Sequence, residues 1–211
     1  MIRVLLADDH PVVRKGLSQI VAEHRDMVVV GEAGDGAAVL QSISRLAVDV
    51  LVLDINMPGR SGLEVLREVK QLQPRLPVLV LSVHPEDQLA VRALMAGASG
   101  YLNKDSAPED LVKAIRKVFA GGKFVTPTLA EALVANLQME SIDTPPHKTL
   151  SDREYSVMLR IASGKAVSEI ASELCLSVKT VSTYRARILE KMNMKTNADL
   201  TRYAIHNGLV E

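Results

Sequence analysis

At 211 residues the chain exceeds the roughly 100 to 150 residues of a typical single domain, so two domains are expected. No apolar run approaches the roughly 18 residues that a membrane span needs, and the start MIRVLLADDHP meets two acids too early for a signal peptide; a cytoplasmic protein is expected. Lys and Arg (25) balance Asp and Glu (25), so bulk charge by itself argues for no nucleic-acid partner.

Ile2 to Ala7 is an apolar strand that ends in Asp8-Asp9. Pro11 opens a helical pattern with Val12, Val13, Leu17, Ile20 and Val21 apolar, a favourable place for a residue without an N–H. Met27 to Val30 forms a second strand, and Gly34-Asp35-Gly36 reads as a loop, because the rest of a dinucleotide fingerprint is missing. The stretch Val48 to Gly62 organises the first half. Six of the seven residues from Val48 to Ile55 other than Asp54 are apolar, as in a parallel strand buried on both faces, and Asn56-Met57-Pro58-Gly59 breaks the run. Asp54 thus stands at a strand's carboxyl end, where open α/β sheets bind ligands; on this stretch alone it could equally be capping the next turn.

Leu63, Leu66 and Val69, with Leu72, mark the next helix. Pro77 to Val83 is the fourth strand with Ser82 near its end, followed by a helix from about Glu86 to Met95 closed by Gly97. Gly100 to Asn103 is the fifth strand, ending in Lys104, and Leu111, Ile115 and Val118 give the last helix a buried stripe. Five βα units with short loops predict a doubly wound α/β fold with a five-stranded parallel sheet in the order 2-1-3-4-5.

That topology gathers Asp8, Asp9, Asp54, Ser82 and Lys104 on one edge. Three carboxylates in one crevice repel unless a cation joins them, and a hard divalent ion with oxygen ligands, most simply Mg²⁺, resolves the conflict. The ion, Lys104 and the Ser82 hydroxyl would stabilise the oxygens of a phosphoryl group in transfer, with Asp54 as nucleophile. On the acidic pair Asp8-Asp9, Asp54 within DINMPGRSG, Ser82, and Lys104 of YLNKD, residues 1 to about 120 resemble the receiver domain of two-component response regulators. The resemblance implies that Asp54 is the phosphoacceptor and that Asp9, Asp54 and the main-chain oxygen of Asn56 hold Mg²⁺, with Asp8 acting largely behind them. It also implies that Ser82 and Tyr101 form the switch, while Asn56 and His84 stand where the family varies its dephosphorylation rate.

Gly121-Gly122 ends the last receiver helix; a short helix follows from Leu129 to Leu137, and MESIDTPPHKT then reads as a mobile linker. Charge is uneven: residues 126 to 143 carry no basic and 3 acidic residues, residues 144 to 211 carry 10 and 7. From Leu150 the pattern becomes short helices. Ser151 and Glu154 make an S-x-x-E capping box, with Leu150 and Tyr155 placed as a hydrophobic staple. Val157, Met158 and Ile161 face inward and Gly164 ends the helix; Val167 to Leu174 is the next, with Ile170, Ala171 and Leu174 inside. Cys175, the single cysteine, excludes an internal disulfide and reads as a small core residue between Leu174 and Leu176. Ser177 then caps a helix from Val178 to Met192, and two helices joined this tightly suggest helix-turn-helix.

At 100° per residue, Val178, Val181, Ile188, Leu189 and Met192 share one side of that third helix. Lys179, Ser182, Thr183, Ala186, Arg187 and Glu190 share the other. Such a face suits the major groove, with Lys179, Ser182 and Thr183 near bases and Arg187 or Lys191 on phosphates; Arg185, toward the apolar side, pairs internally or reaches a phosphate around the edge. The segment LSDREYSVMLRIASGKAVSEIASELCLSVKTVSTYRARILEKM resembles the LuxR-type DNA-binding domain, which joined to a receiver defines the NarL/FixJ response-regulator family. That resemblance extends the expected DNA face to Thr180 and Tyr184. It also implies that a last helix, Ala198 to Ile205, pairs two such domains.

The reading is therefore a receiver at 1–121, a partly helical linker at 122–148 and a small all-α helix-turn-helix domain at 149–211. A sensor histidine kinase would phosphorylate Asp54 with Mg²⁺, altering homodimerisation and binding to double-stranded DNA. Enzymatic activity would be confined to self-catalysed phosphotransfer and dephosphorylation. A phosphohydrolase of the haloacid-dehalogenase type would need a second acid two residues beyond the nucleophile, where Asn56 stands. A constitutive DNA-binding protein with an inert receiver would have no use for Asp54, Ser82 and Lys104.

Overall fold

The computed structural model describes residues 1–55, 57, 61–82, 88–138 and 145–210. Asn56, the turn residues at 58–60, the expected strand end Val83, His84, the expected helix start Glu86 and most of the MESIDTPP stretch lie outside the described residues. The chain divides into two compact units, Met1–Leu133 and Val134–Glu211.

In the first unit, β1 (Ile2–Ala7), β2 (Met27–Ala33), β3 (Val50–Asp54), β4 (Val78–Ser82) and β5 (Gly100–Asn103) pair in parallel in the predicted order β2-β1-β3-β4-β5. The strands carry apolar residues at nearly every position because both faces are covered. Val4, Leu6, Val50, Val52, Leu79, Leu81 and Leu102 pack with Leu17 and Val21 of α1 (Pro11–Ala22) and Leu111, Ile115 and Val118 of α5 (Ala107–Phe119). The alternate residues Leu5, Leu51, Leu53 and Val80 point the other way and are equally buried. On that side α2 (Gly36–Arg45), α3 (Gly62–Leu72) and α4 (Gln88–Met95) neighbour one another in turn. Asp35 caps α2 by accepting from the Ala38 amide at 2.8 Å, which gives the Gly-Asp-Gly loop its purpose.

Three local readings change. β2 runs on through Gly31 and Glu32, residues tolerated there because β2 is an edge strand with a register shift against β1 at Val4/Leu5. Leu72, the last residue of α3, is 63% exposed and lies outside the helix's buried stripe of Leu63, Leu66 and Val69. The segment after α5 is not free chain: Phe124 bridges the β5 edge, accepting from the Tyr101 amide and donating to the Ser99 carbonyl, both at 3.0 Å. Next comes α6 (Pro127–Gln138), longer than predicted.

The second unit holds α7 (Asp152–Ala162), α8 (Val167–Glu173), α9 (Val178–Lys191) and α10 (Asn197–His206), with α7 packed against the other three. Its order begins earlier than the capping box suggests. Pro146–Thr149 forms a 3₁₀ turn, and His147, expected in a mobile linker, is buried with Nδ1 2.7 Å from the Tyr203 hydroxyl of α10.

The close packing of α3 on β3 depends on Gly62. A Cβ there would stand 2.4 Å from the Ile55 Cα and 2.7 Å from the Asp54 carbonyl oxygen, and neither backbone atom can retreat. Gly62→Ala is expected to destabilise the receiver by roughly 1 to 3 kcal/mol; an unchanged urea midpoint would refute this account of the strand-to-helix turn.

Candidate functional site

Strand register brings the polar residues together. Ala7 pairs with Leu53, Asp54 with Leu81 and Ser82 with Asn103, so Asp8, Asp54, Ser82 and Lys104 arrive at the same carboxyl edge of the sheet. Asp8, Asp54, Ser82 and Tyr101 are all buried there. Lys104, in the 3₁₀ turn that follows β5, places Nζ 2.7 Å from Asp54 Oδ2, to which it donates, and 2.6 Å from Asp8 Oδ2. Burial pushes the Lys104 ammonium toward losing its proton, but the two carboxylates outweigh that effect and raise its pKa.

The other end of the cluster is built by the turn into α1. The His10 amide donates to Asp8 Oδ1 at 2.8 Å and Arg14 Nη1 donates to the Asp8 carbonyl at 2.6 Å, so both oxygens of the Asp8 side chain already have partners. His10 Nδ1 lies 2.8 Å from Asp9 Oδ1. One ligand atom from each of Asp8, Asp9, His10 and Asp54 falls within 4.8 Å of the others. Three carboxylates against the Lys104 ammonium leave an excess of two negative charges, and the donors are mainly hard oxygens. Both features fit a divalent cation.

In the second unit α8 and α9 are joined by a turn in which Leu176 N donates to the Ala171 carbonyl at 2.8 Å. Cys175 is the left-handed residue of that turn, with φ 50°, and it is exposed, contrary to the expected core position. Alternating apolar neighbours do not bury a residue whose backbone reverses direction. Ser177 caps α9, accepting from the Thr180 amide at 3.0 Å, and its hydroxyl also bonds the Thr180 hydroxyl. Lys179, Ser182, Thr183 and Arg187 are exposed on one face, with Thr180 and Tyr184 half-buried at its margin. Val181, Ile188 and Met192 are buried as predicted and Leu189 is partly so, but Val178, the first residue of α9, is 52% exposed.

Two predicted DNA contacts are engaged within the unit. Arg185 Nε donates to Asn197 Oδ1 at 2.6 Å, and Lys191 Nζ donates to Glu154 Oε2 at 2.6 Å.

Residues 4–116 match the family described as "Response regulator receiver domain", and residues 148–204 match "Bacterial regulatory proteins, luxR family". This chain belongs to the NarL/FixJ family of response regulators. It is 39% identical to the response regulator GacA of Pseudomonas aeruginosa over 211 residues, covering all of this chain and 99% of GacA. It is also 39% identical to the response regulator UvrY of Escherichia coli over 210 residues, 99% of this chain and 96% of UvrY. Among solved structures, RcsB of Salmonella enterica serovar Typhimurium, bound to promoter rprA in the presence of phosphomimetic BeF₃⁻, superposes with a TM-score of 0.66 at 29% identity, covering 96% of this chain and 97% of RcsB. As a NarL/FixJ response regulator the protein is a DNA-binding transcription regulator controlled by phosphorylation.

Glu154 has a double duty that its local sequence does not signal. Beyond the capping box, where it accepts from the Ser151 amide at 2.8 Å, this buried side chain anchors Lys191 at the far end of α9. Spacing within one helix signals a capping box; nothing local signals a partner 37 residues away. Burial works against the Glu154 charge, but Lys191 and the Ser151 amide and hydroxyl overcome it, holding the carboxyl below its usual value of 4.5. Glu154→Ala is expected to cost about 1 to 3 kcal/mol of second-unit stability near neutral pH. Because the folded value lies below 4.5, that stability is present above pH 4.5 and is lost as the pH falls. Denaturation curves should therefore show the gap from wild type narrowing below pH 4.5.

Proposed function

We propose that Asp54 is the phosphoacceptor and that its phosphorylation by a sensor histidine kinase controls the binding of the α9 face to double-stranded DNA. The observation that carries this reading is the burial of Asp54 at the end of β3 with Lys104 2.7 Å from its Oδ2 and the Asp8-Asp9 pair beside it. In the transfer, a carboxylate oxygen of Asp54 forms a bond to phosphorus as the P–N bond to the kinase's phosphohistidine breaks. The bonding pair leaves on the imidazole nitrogen, which takes up a proton. Lys104 moves from Asp54 to an oxygen of the new phosphoryl group, and Ser82 donates its hydroxyl to another. Asp9 and Asp54, with the main-chain oxygen of Asn56, would hold Mg²⁺, and Asp8 would fix Lys104 and the His10 turn. When bound, Mg²⁺ would supply charge stabilisation for the phosphoryl oxygens. Activity of an enzymatic kind is confined to this self-phosphorylation and its slow hydrolytic reversal.

The acyl phosphate carries about −1.5 to −2 charges where the carboxylate had carried one. Drawing Ser82 and Lys104 toward it frees Tyr101, packed in the next strand, to change its position. The boundaries we assign are a receiver at 1–121, a linker at 122–148 and the DNA-binding domain at 149–211, with His147 extending the last domain's packing into the linker.

On the DNA side Lys179, Ser182 and Thr183 face base edges and Arg187 a phosphate, with Thr180 and Tyr184 at the margin. Arg185 and Lys191 serve the interface mainly by holding α9 to α10 and α7. The α10 surface around Ile205, 54% exposed, suits pairing with a second copy when phosphorylated.

Two measurements test this reading. Acetyl phosphate with a divalent ion should label the wild type once and Asp54→Ala not at all; equal labelling removes Asp54 as acceptor. Arg187→Ala should lower the log–log salt slope of DNA binding by about one, because one phosphate contact is lost. Lys191→Ala should leave that slope nearly unchanged, and a loss of about one would return Lys191 to the DNA backbone.

A further inference from the structure

We propose that Thr183 and Ala186 form an apolar spot in the middle of the exposed face of α9, and that this spot packs on the 5-methyl group of a thymine. The inference rests on the reading of α9 as the DNA-binding face and names what one part of that face recognises.

The spot is defined by what Thr183 does with its hydroxyl. Thr183 is exposed, yet its Oγ1 donates to the Lys179 carbonyl one turn earlier at 3.0 Å. The single hydroxyl proton is thus engaged within the helix and is not offered to a base. A β-branched side chain held in this way has its torsion fixed, so its γ-methyl is a rigid group. Ala186, also exposed, follows three residues later, a spacing that makes residues neighbours on a helix surface. Its side chain is a methyl group and nothing else.

The surroundings of these two methyls are polar. Lys179 and Arg187 stand four residues before and after Thr183, and Ser182 and Glu190 four residues before and after Ala186; all four are exposed. Val178 is exposed as well, but it lies on the apolar side of the helix, away from this face. The helix itself is firmly placed. Ser177 caps its first turn, and Val181, Ile188 and Met192 anchor its opposite side in the core.

In the major groove a methyl group marks thymine alone among the four bases. Apolar surface pressed on the amino group of cytosine or adenine would leave that donor without a partner, whereas a methyl gains by leaving water. Such a contact neutralises no phosphate and releases no counterion, so the preference for thymine does not depend on salt even though the affinity does.

The test uses the full chain treated with acetyl phosphate and Mg²⁺. Duplexes are selected from random DNA, and each thymine of the selected site is replaced singly by deoxyuridine, which removes the methyl and leaves the base pair intact. At one thymine for each bound domain the wild type is expected to lose about fourfold in affinity, the factor for burying one methyl group, and equally at low and high salt. Thr183→Ser, which keeps the hydroxyl and removes the γ-methyl, should lose most of that sensitivity. Thr183→Val, which keeps the methyl and removes the hydroxyl, should retain it. A wild type sensitive at no thymine, a sensitivity that survives in Thr183→Ser, or one that disappears in Thr183→Val overturns the proposal. Arg187→Ala on the same duplexes separates the two readings: a reduced salt slope with no sensitive thymine sinks this proposal alone, and an unchanged slope sinks the assignment of the α9 face with it.

Discussion

A single ammonium holding buried carboxylates apart is the interaction on which the receiver turns. Lys104 reaches Asp8 and Asp54 at once, with Asp9 near by. Unit charges a few ångströms apart interact with several kcal/mol at the effective dielectric of a protein, so three acids on one sheet edge would push the strands apart without a cation between them. The raised pKa of Lys104 is the other side of the same balance: losing its proton would leave Asp8 and Asp54 facing each other unscreened. A cluster still short of positive charge responds to any change in that charge, which suits a switch better than a rigid binding site.

The fold exists, in effect, to bring those groups to one level. The central strands β1, β3 and β4, buried along nearly their whole length, cannot slip in register without displacing Asp54 from the sheet edge or drawing a core leucine into the pocket. Gly62 lets α3 approach the end of β3 closely enough that the backbone carrying Asp54 is clamped from behind. On the far side the β5 edge is closed by Phe124, whose carbonyl accepts from the Tyr101 amide. Tyr101, Lys104 and the start of the segment leading out of the receiver are thus tied to a single strand. On the function proposed above, a displacement of β5 would act on that segment directly, with no longer chain of contacts required.

The receiver was largely legible in its sequence because each functional group sits at the end of an apolar run, and a run of Val and Leu that stops at a polar residue names both the strand and its edge. Sheet order followed from βα alternation. What escaped was whatever depends on a neighbour distant in sequence. Val178 and Leu72 match the apolar side of their helices, yet both are exposed, since periodicity gives the direction of a side chain and not where the opposing surface ends. Cys175 was misplaced for a different reason: its neighbours are apolar, but a left-handed turn residue points outward. His147, in a stretch rich in proline and threonine, is held by Tyr203 some 56 residues later. His10 went unremarked because a histidine after two acids has no metal-binding spacing of its own; only the turn into α1 brings its ring back to Asp9.

The second unit repeats the receiver's solution on a smaller scale, and this changes how its charge should be read. Glu154 is a buried carboxylate held by one lysine, and Lys191 is thereby withdrawn from the basic face of α9. Arg185 is committed to Asn197, Arg160 and Lys165 to Glu173, and Arg202 to Asp199. The excess of three basic residues counted from 144 to 211 is therefore not the charge offered to DNA. Lys179 and Arg187, exposed on the same face of α9, carry most of the local field there. A face with few cations and two exposed hydroxyls, Ser182 and Thr183, gains comparatively little from phosphate attraction alone. On the function proposed above, its affinity would come from base contacts and from pairing two such domains, where a phosphorylation-dependent change in association would have the most leverage.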